Sequence, residues 1–305
     1  MRNFRFGVNF GRLKVEDWAA FCRSSEDLGF DTVLAPDHLY SAAPFAMLAT
    51  AAAVTTRLRV GTLVINSEFW NPHMLAREAA TVDLLSGGRL ELGLGCGHMK
   101  WEFDTAGMEW RPHAERVARL ERSVEELDRL FSADGGERPR PLQAPRPPLL
   151  IGAHGERTLA VAARHADIVG YGGLTQIPGR KMGTFRVADT EETLRRVEFV
   201  AEQAGPRADD IESNVLVQAV HITDDAERTA DELARTLDTP GARTAAEILD
   251  SPYALVGTVE EIARELIANR ERFGFSYIAT HGPHRDTLAQ VIPIVRELTG
   301  ETAPT

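Results

Sequence analysis

Nine histidines occur in the chain, and five of them, His38, His98, His154, His221 and His281, fall at or just after the ends of short apolar runs. An imidazole titrates near neutrality, so several of them on one rim would suit proton transfer beside a bound molecule. Other groups able to do chemistry cluster at the same points. Asp37 precedes His38, Cys96-Gly97 precede His98, Asn66-Ser67-Glu68 follow a third run, and Gly152-Ala153 lead into His154. Metal-assisted hydrolysis on such a rim would need histidines paired one residue apart on an early strand, or His-Glu-x-x-His; the first run, Phe6-Gly7-Val8-Asn9-Phe10, has no such pair, and we expect no metal. The two cysteines, Cys22 and Cys96, make neither a disulfide framework nor a four-thiolate zinc site. Cys96 reads as a pocket wall, since a catalytic thiol also needs a base.

These groups must be positioned by the elements that end in them. The apolar runs cover residues 4–9, 32–35, 58–66, 90–95, 149–152, 167–170, 214–220 and 276–280. Between them lie stretches of helical period, such as Val117, Leu120, Val124, Leu127 and Phe131, or Val259, Ile262, Ala263, Leu266 and Ile267. Strands that read as continuous apolar runs, each followed by a helix, form parallel sheets covered by helices. Eight such units predict an α/β fold, a (β/α)8 TIM barrel, as one domain over residues 1–305. Asn71-Pro72 reads as an N-cap followed by proline at N1, and Ser86-Gly87-Gly88 as a helix stop. Two connections exceed barrel loops and read as insertions after strands 6 and 7, at about 172–188 and 238–256. The first, glycine-rich with Arg180-Lys181, reads as a lid over the mouth; the second holds an extra helix near Ala245–Leu249.

Composition closes off other classes. With 34 basic against 45 acidic side chains the net charge is −11, which opposes binding to nucleic acid. The apolar stretch at 45–54 is half a membrane span, and the N-terminus enters a strand without a signal-type core, so we expect a cytoplasmic protein that engages neither nucleic acid nor membrane.

In a barrel, the residues at the C-terminal strand ends converge on one mouth. In the fourth run Leu90, Leu92 and Leu94 should face the helices, while Gly93 and Gly95 face the lumen and leave room for something flat. Gly152-Ala153-His154-Gly155-Glu156-Arg157-Thr158 is a strand-to-helix turn able to bring backbone N–H groups and the Arg157 charge to an anion; it is not a Walker loop. Trp70, Trp101, Trp110, Phe69, Tyr40 and Tyr171 fall in mouth-side positions and suggest an aromatic wall for a substrate.

Leu75-Ala76-Arg77-Glu78-Ala79-Ala80-Thr81-Val82-Asp83-Leu84-Leu85-Ser86-Gly87-Gly88-Arg89-Leu90-Glu91-Leu92-Gly93-Leu94-Gly95-Cys96-Gly97 resembles the luciferase-like monooxygenase superfamily, in particular its branch using the deazaflavin coenzyme F420. Pro36-Asp37-His38, Ile151 to Gly155, Ala162 to Val169 and Leu255-Val256-Gly257-Thr258 support the resemblance. It implies a flavin or deazaflavin ring in the mouth against a non-proline cis peptide near Leu63-Val64, bordered by Cys96 and Gly97. The phosphate would lie on Gly152, Ala153, His154, Gly155, Arg157 and Thr158. His38 matches an acid/base histidine of deazaflavin-dependent sugar-phosphate dehydrogenases; at His98 those enzymes carry glutamate, so the general-acid role would move to His98 or vanish. The resemblance therefore implies an F420-dependent oxidoreductase with His38, His98 and Asp37 as catalytic groups. Trp70, Trp101, Tyr171, Arg180 and Lys181 would stand on the substrate or lid side. The family's habit is a homodimer. Alternatives are an FMNH2-dependent monooxygenase served by a separate reductase, and a flavin-binding barrel without catalysis.

Overall fold

A computed structural model describes residues 2–10, 15–132, 136, 139–177, 179–180, 185–236 and 244–302. Eight strands, β1 Arg5–Asn9, β2 Thr32–Ala35, β3 Arg59–Thr62, β4 Leu90–Gly95, β5 Leu149–Ala153, β6 Ile168–Tyr171, β7 Glu212–Val217 and β8 Phe275–His281, lie parallel in one sheet. Each pairs with the next, and β8 returns to β1 with Tyr277 beside Arg5 and His281 beside Asn9, so the barrel closes. A two-residue piece, Ile65–Asn66, carries the line of β3 upward along β4. The helices are α1 Trp18–Asp27, α2 Pro44–Val54, α3 Pro72–Leu85, α4 Lys100–Ala106, α5 His113–Phe131, α6 Glu156–His165, α7 Thr190–Ala204, α8 Ala226–Thr236, α9 Ala245–Leu249, α10 Val259–Phe273 and α11 Arg285–Thr299. Asn71 caps α3 by accepting a hydrogen bond from the His73 N–H at 2.9 Å, with Pro72 next in line.

The strand period sorts side chains into two layers. Leu90, Leu92, Leu94, Leu149, Ile151 and Val169 face outward into the layer beneath the helices, whereas Leu150, Ile168 and Tyr277 form a separate cluster in the lumen with Leu63 and Val64. At the foot of the lumen Glu91 accepts hydrogen bonds from Arg5 Nη1 at 2.5 Å, Arg59 Nε at 2.6 Å and the Tyr277 hydroxyl at 3.2 Å. Burial alone would raise the Glu91 carboxyl; the Arg5 and Arg59 guanidiniums outweigh it and hold the group below its ordinary value. A satisfied ionic plug thus fills one end of the barrel.

Two expectations change in detail. The seventh run divides: β7 ends at Val217, and Ala219–Ile222 leaves the barrel to pair in parallel with Ala254–Gly257. The insertion at 172–188 carries a hairpin, Leu174–Gln176 against Phe185–Val187, whose described base is fastened to α7. There the Thr175 hydroxyl donates to Glu192 at 2.6 Å, and Arg196 donates to Thr175 at 2.6 Å. Helix α9 stands where the second insertion was expected to hold one.

The lumen glycines differ from expectation in what they make room for. A Cβ on Gly93 would stand 1.9 Å from the Thr62 carbonyl oxygen, and one on Gly95 would stand 2.8 Å from the Val64 side chain. Their missing side chains admit the third strand's own bulge, and any flat ligand must lie above it. By contrast, a Cβ on Gly155 meets nothing within 4 Å. Gly93→Ala should therefore lower the urea-unfolding free energy by at least about 2 kcal/mol, and Gly155→Ala by well under about 1 kcal/mol. Equal losses at the two positions would contradict this packing.

Candidate active site

The mouth is built outward from the segment after β3. The Leu63–Val64 peptide is cis. Leu63 N–H donates to the Ala35 carbonyl at 2.9 Å, and the Leu63 carbonyl accepts from Asn9 Nδ2 at 3.2 Å, so β1, β2 and β3 all hold this peptide. Both residues stay partly exposed although they lie in the lumen, which makes them the floor of an open cleft. The chain beyond is clamped by Asp37, whose Oδ2 accepts from Asn66 N–H at 3.1 Å and from the Trp70 indole N–H at 2.9 Å. Burial raises the Asp37 carboxyl above its ordinary value despite these bonds. Asp37, expected among the catalytic groups, thus spends its Oδ2 on holding this segment, and Trp70, expected on the substrate wall, packs edge-on against Phe45. Gly97 has φ +71°, and a Cβ there would be 2.6 Å from Asn66 Oδ1, so glycine is required on both counts.

Above this floor stand His38 and His98, edge to face with ring centroids 5.5 Å apart. His38 Nδ1 lies 3.1 and 3.2 Å from the two carboxylate oxygens of Glu102, and the same carboxylate accepts the Leu39 N–H at 2.9 Å. Glu102 is 2% exposed, the third residue of α4 and in its first turn, where it fixes the imidazole from behind. A carboxylate on Nδ1 selects the tautomer with its proton there and leaves Nε2 for a bound molecule. Tyr40 stacks on His38 at 4.8 Å and Trp101 on Tyr40 at 6.2 Å, forming an exposed aromatic strip along the rim. His98 has a different environment. Burial, then the His38 and Arg116 charges, push its pKa down to about 4, so it is neutral at pH 7. His154 is lowered to about 3 by burial, then by Arg196 and His98, and its Nδ1 is buried without a hydrogen-bond partner.

The turn after β5 supplies a second feature. Helix α6 begins at Glu156 after Gly155 at its N-cap, with no side-chain cap, which leaves its first N–H groups free of a side-chain acceptor. Thr158 is buried, and burial raises the pKa of the Cys96 thiol, so Cys96 is an un-ionised wall. Ala153 is buried in the strand end, while Gly152 and His154 are part-exposed and Arg157 is exposed. Close by, Arg116 of α5 lies with its guanidinium 3.6 Å over the Trp110 ring.

The fold therefore gathers His38, His98, Leu63, Val64, Cys96, Gly97, Gly152, His154 and Thr158 around one mouth, with Trp101 on its rim. It does not gather Tyr171, because the lumen side of β6 is taken by Ile168 and Gly170. Tyr171 points outward, 5.4 Å from the Phe275 ring, and lines a cavity of about 600 Å³ with Val200, Ser213 and Ser276 that lies under α7, away from the mouth. Trp110 is likewise taken from the expected aromatic wall and lies under Arg116. Arg180 is exposed, and Lys181 lies outside the described residues. His281 reaches Gln218 at 3.3 Å, whereas His221 pairs with His284 beyond the barrel proper. Among the described residues a grouping able to hold a metal ion, Glu121, Glu125 and His165, lies on α5 and α6, with Glu121 already paired to Arg164. Two residues escaped the sequence reading. Glu102 sits four positions after His98 between two aromatics, and Arg116 occupies the buried stripe of α5 next to Val117 and Leu120. A charge on an apolar stripe was the available signal for both.

Residues 11–277 match the model of the luciferase-like monooxygenase family. The chain belongs to this family. Its relatives include the F420-dependent glucose-6-phosphate dehydrogenase of Kribbella flavida, 28% identical over 330 aligned positions that cover 92% of this chain and 95% of that one. The oxygenase component of the flavin-dependent trigonelline monooxygenase of Acinetobacter baylyi is 31% identical over 121 residues, covering 36% and 34%. Among solved structures, the coenzyme F420-dependent tetrahydromethanopterin reductase of Methanopyrus kandleri superimposes with a TM-score of 0.73 at 18% identity, over 95% and 97% of the two chains, and shows the shared fold. Among the described residues no helix of this luciferase-like protein is long and apolar enough to cross a membrane.

The two depressed imidazoles carry a stability consequence. A histidine whose folded pKa lies below its unfolded value of 6.5 takes up its proton more readily when unfolded, so stability is full above pH 6.5 and falls as the pH drops toward 4. Between pH 6.5 and about pH 5, His98 and His154 should each cost up to about 2 kcal/mol. Urea midpoints at the two pH values should therefore differ in the wild type and differ less in the His98→Gln/His154→Gln double variant; identical slopes would refute the assignment.

Proposed function

We propose that this luciferase-like protein is a coenzyme F420-dependent oxidoreductase moving a hydride between the deazaflavin and a small organic substrate. The observation that carries the reading is the His38–Glu102 pair, held on the rim of a cleft whose floor is Leu63–Val64. The site residues fit the coenzyme: the floor is open, Gly155 keeps backbone accessible, and α6 presents an uncapped N-terminus. Leu63, Val64, Cys96 and Gly97 would border the ring, and Gly152, Ala153, His154, Gly155, Arg157 and Thr158 the tail. When bound, the coenzyme supplies the two-electron carrier.

The chain's own contribution is position and proton control. Holding two reacting carbons about 3–3.5 Å apart can lower a barrier by roughly 7–11 kcal/mol. Glu102 fixes His38 so that Nε2 exchanges a proton with the substrate oxygen as the carbon gains or loses hydride. His98, neutral at working pH, offers a hydrogen bond and adds no charge to the cleft. The strip of Tyr40 and Trp101 shields the rim from water. A histidine at position 98 sets the cleft apart from a sugar-phosphate oxidase site with glutamate there, so we place the substrate among small carbonyl compounds or alcohols. The reading includes a homodimer and residence in the cytoplasm; light scattering checks the first.

Fluorescence titration with F420 and with FMN should show tighter binding of F420; a clear preference for FMN would favour an oxygenase served by a separate reductase. His38→Ala should keep coenzyme affinity within about threefold and slow turnover at least about tenfold. Glu102→Gln should slow turnover and shift its pH profile while sparing affinity. Unchanged turnover in both variants would remove the acid/base assignment. Tight coenzyme binding without single-turnover ring oxidation or reduction across a broad substrate panel would identify a binding protein.

A further inference from the structure

The cavity beneath α7 has no part in the steps above. It holds about 600 Å³ between α7, the end of α10 and the outer face of β7 and β8. That is a volume suited to a small molecule. Two buried donors on its wall lack acceptors. Ser276 is 2% exposed and its hydroxyl has no hydrogen-bond partner; Arg270 Nε is buried and equally unpartnered.

The sheet explains the first of these. Ser213 pairs with Phe275 and Asn214 with Tyr277, so β8 bulges at Ser276, which has no partner across β7. Tyr277 turns into the lumen, and Ser276 faces the other way, into the cavity with Ser213. The second is fixed by its neighbours. Arg270 Nη1 donates to Glu301 at 2.5 Å and to the Arg2 carbonyl at 3.3 Å, and the guanidinium lies 4.0 Å over the Phe4 ring. These contacts hold the side chain still and leave Nε unused. Buried donors in this state are costly unless an acceptor arrives from outside the chain.

The rest of the lining describes what carries that acceptor. Val197, Val200 and Ala201 of α7, with Ala208 and Ile211 after it, make an aliphatic wall. Arg2 and Arg272 are exposed members of the lining, and Asp209 is its acidic residue. The Glu301 carboxylate is already engaged, by Arg270 and by the Phe4 N–H at 2.7 Å. Cations and unused donors thus come from the N-terminal segment, α10 and β8, and hydrocarbon from α7. An anionic head on an apolar body matches both.

We infer that this cavity is a second ligand site, separate from the mouth, which takes a medium-chain aliphatic carboxylate with its head on Ser276 and Arg270 and its chain along α7. Octanoate is the probe. Isothermal titration should show saturable binding to the wild type, with octan-1-ol and octylamine each at least about tenfold weaker. Ser276→Ala removes an unpaired hydroxyl, so its melting temperature without ligand should equal or exceed that of the wild type, while octanoate affinity falls about tenfold. Ala201→Trp, at an exposed position of α7, should fill the cavity and abolish binding, with circular dichroism confirming the fold. His38→Ala should bind octanoate as the wild type does.

A wild type that does not bind octanoate, or that binds octan-1-ol as tightly, overturns the inference and leaves the cavity to water. Wild-type affinity in Ser276→Ala or in a folded Ala201→Trp overturns it too. Binding lost in His38→Ala would put octanoate in the mouth, which also refutes a second site.

Discussion

One steric relation holds the site in place: the Val64 side chain fits against Gly93, Gly95 and Gly152, where side chains would otherwise stand. Interiors are close-packed, and a missing Cβ is filled by a neighbour or left as a void. Here the neighbour is the bulge of the third strand. With Val64 seated against three glycines, the Leu63 carbonyl meets Asn9, the Asn66 N–H meets Asp37, and Gly97 closes against Asn66. The position of the mouth floor thus follows from packing across β3, β4 and β5.

Electrostatics divides the barrel along its axis. Its foot is ionised and satisfied, with Glu91 between two guanidiniums and a tyrosine. The mouth is largely neutral where a ring would lie, since burial discharges His98 and His154 and keeps Cys96 a thiol. Charge returns at two flanks, the Glu102 carboxylate behind His38 and the Arg116 guanidinium near α6. Low dielectric strengthens each of these without bringing them together. The centre of the mouth is thus neutral, and its charges stand at the flanks.

Family membership and geometry inform different levels of this account. The match over residues 11–277 and the superposition on solved barrels establish scaffold and kinship. Fold by itself does not choose a chemistry, because the same barrel carries dehydrogenases and oxygenases. The choice rests on particular side chains: the His38–Glu102 pair, the neutral His98, and the open turn at Gly155.

The alternation of eight apolar runs with helical stretches was enough to reach the closed barrel, because strands buried on both faces and their crossover helices leave a strong local pattern. The strand-end histidines, the Asn71-Pro72 cap and the extra helix near Ala245 were legible for the same reason: each depends on neighbours close in the chain. What the side chains touch was not. Tyr171 turns away from the mouth because of the register of β6, and Asp37 spends one carboxylate oxygen on the clamp that holds Asn66 and Trp70. The lumen glycines accommodate Val64, which is some thirty to ninety residues away from them in sequence. Glu102 and Arg116 acquire meaning only when α4 and α5 pack beside strand ends far from them in the chain. Local periodicity sets which elements form; long-range packing, which no short window of sequence contains, sets which atoms meet.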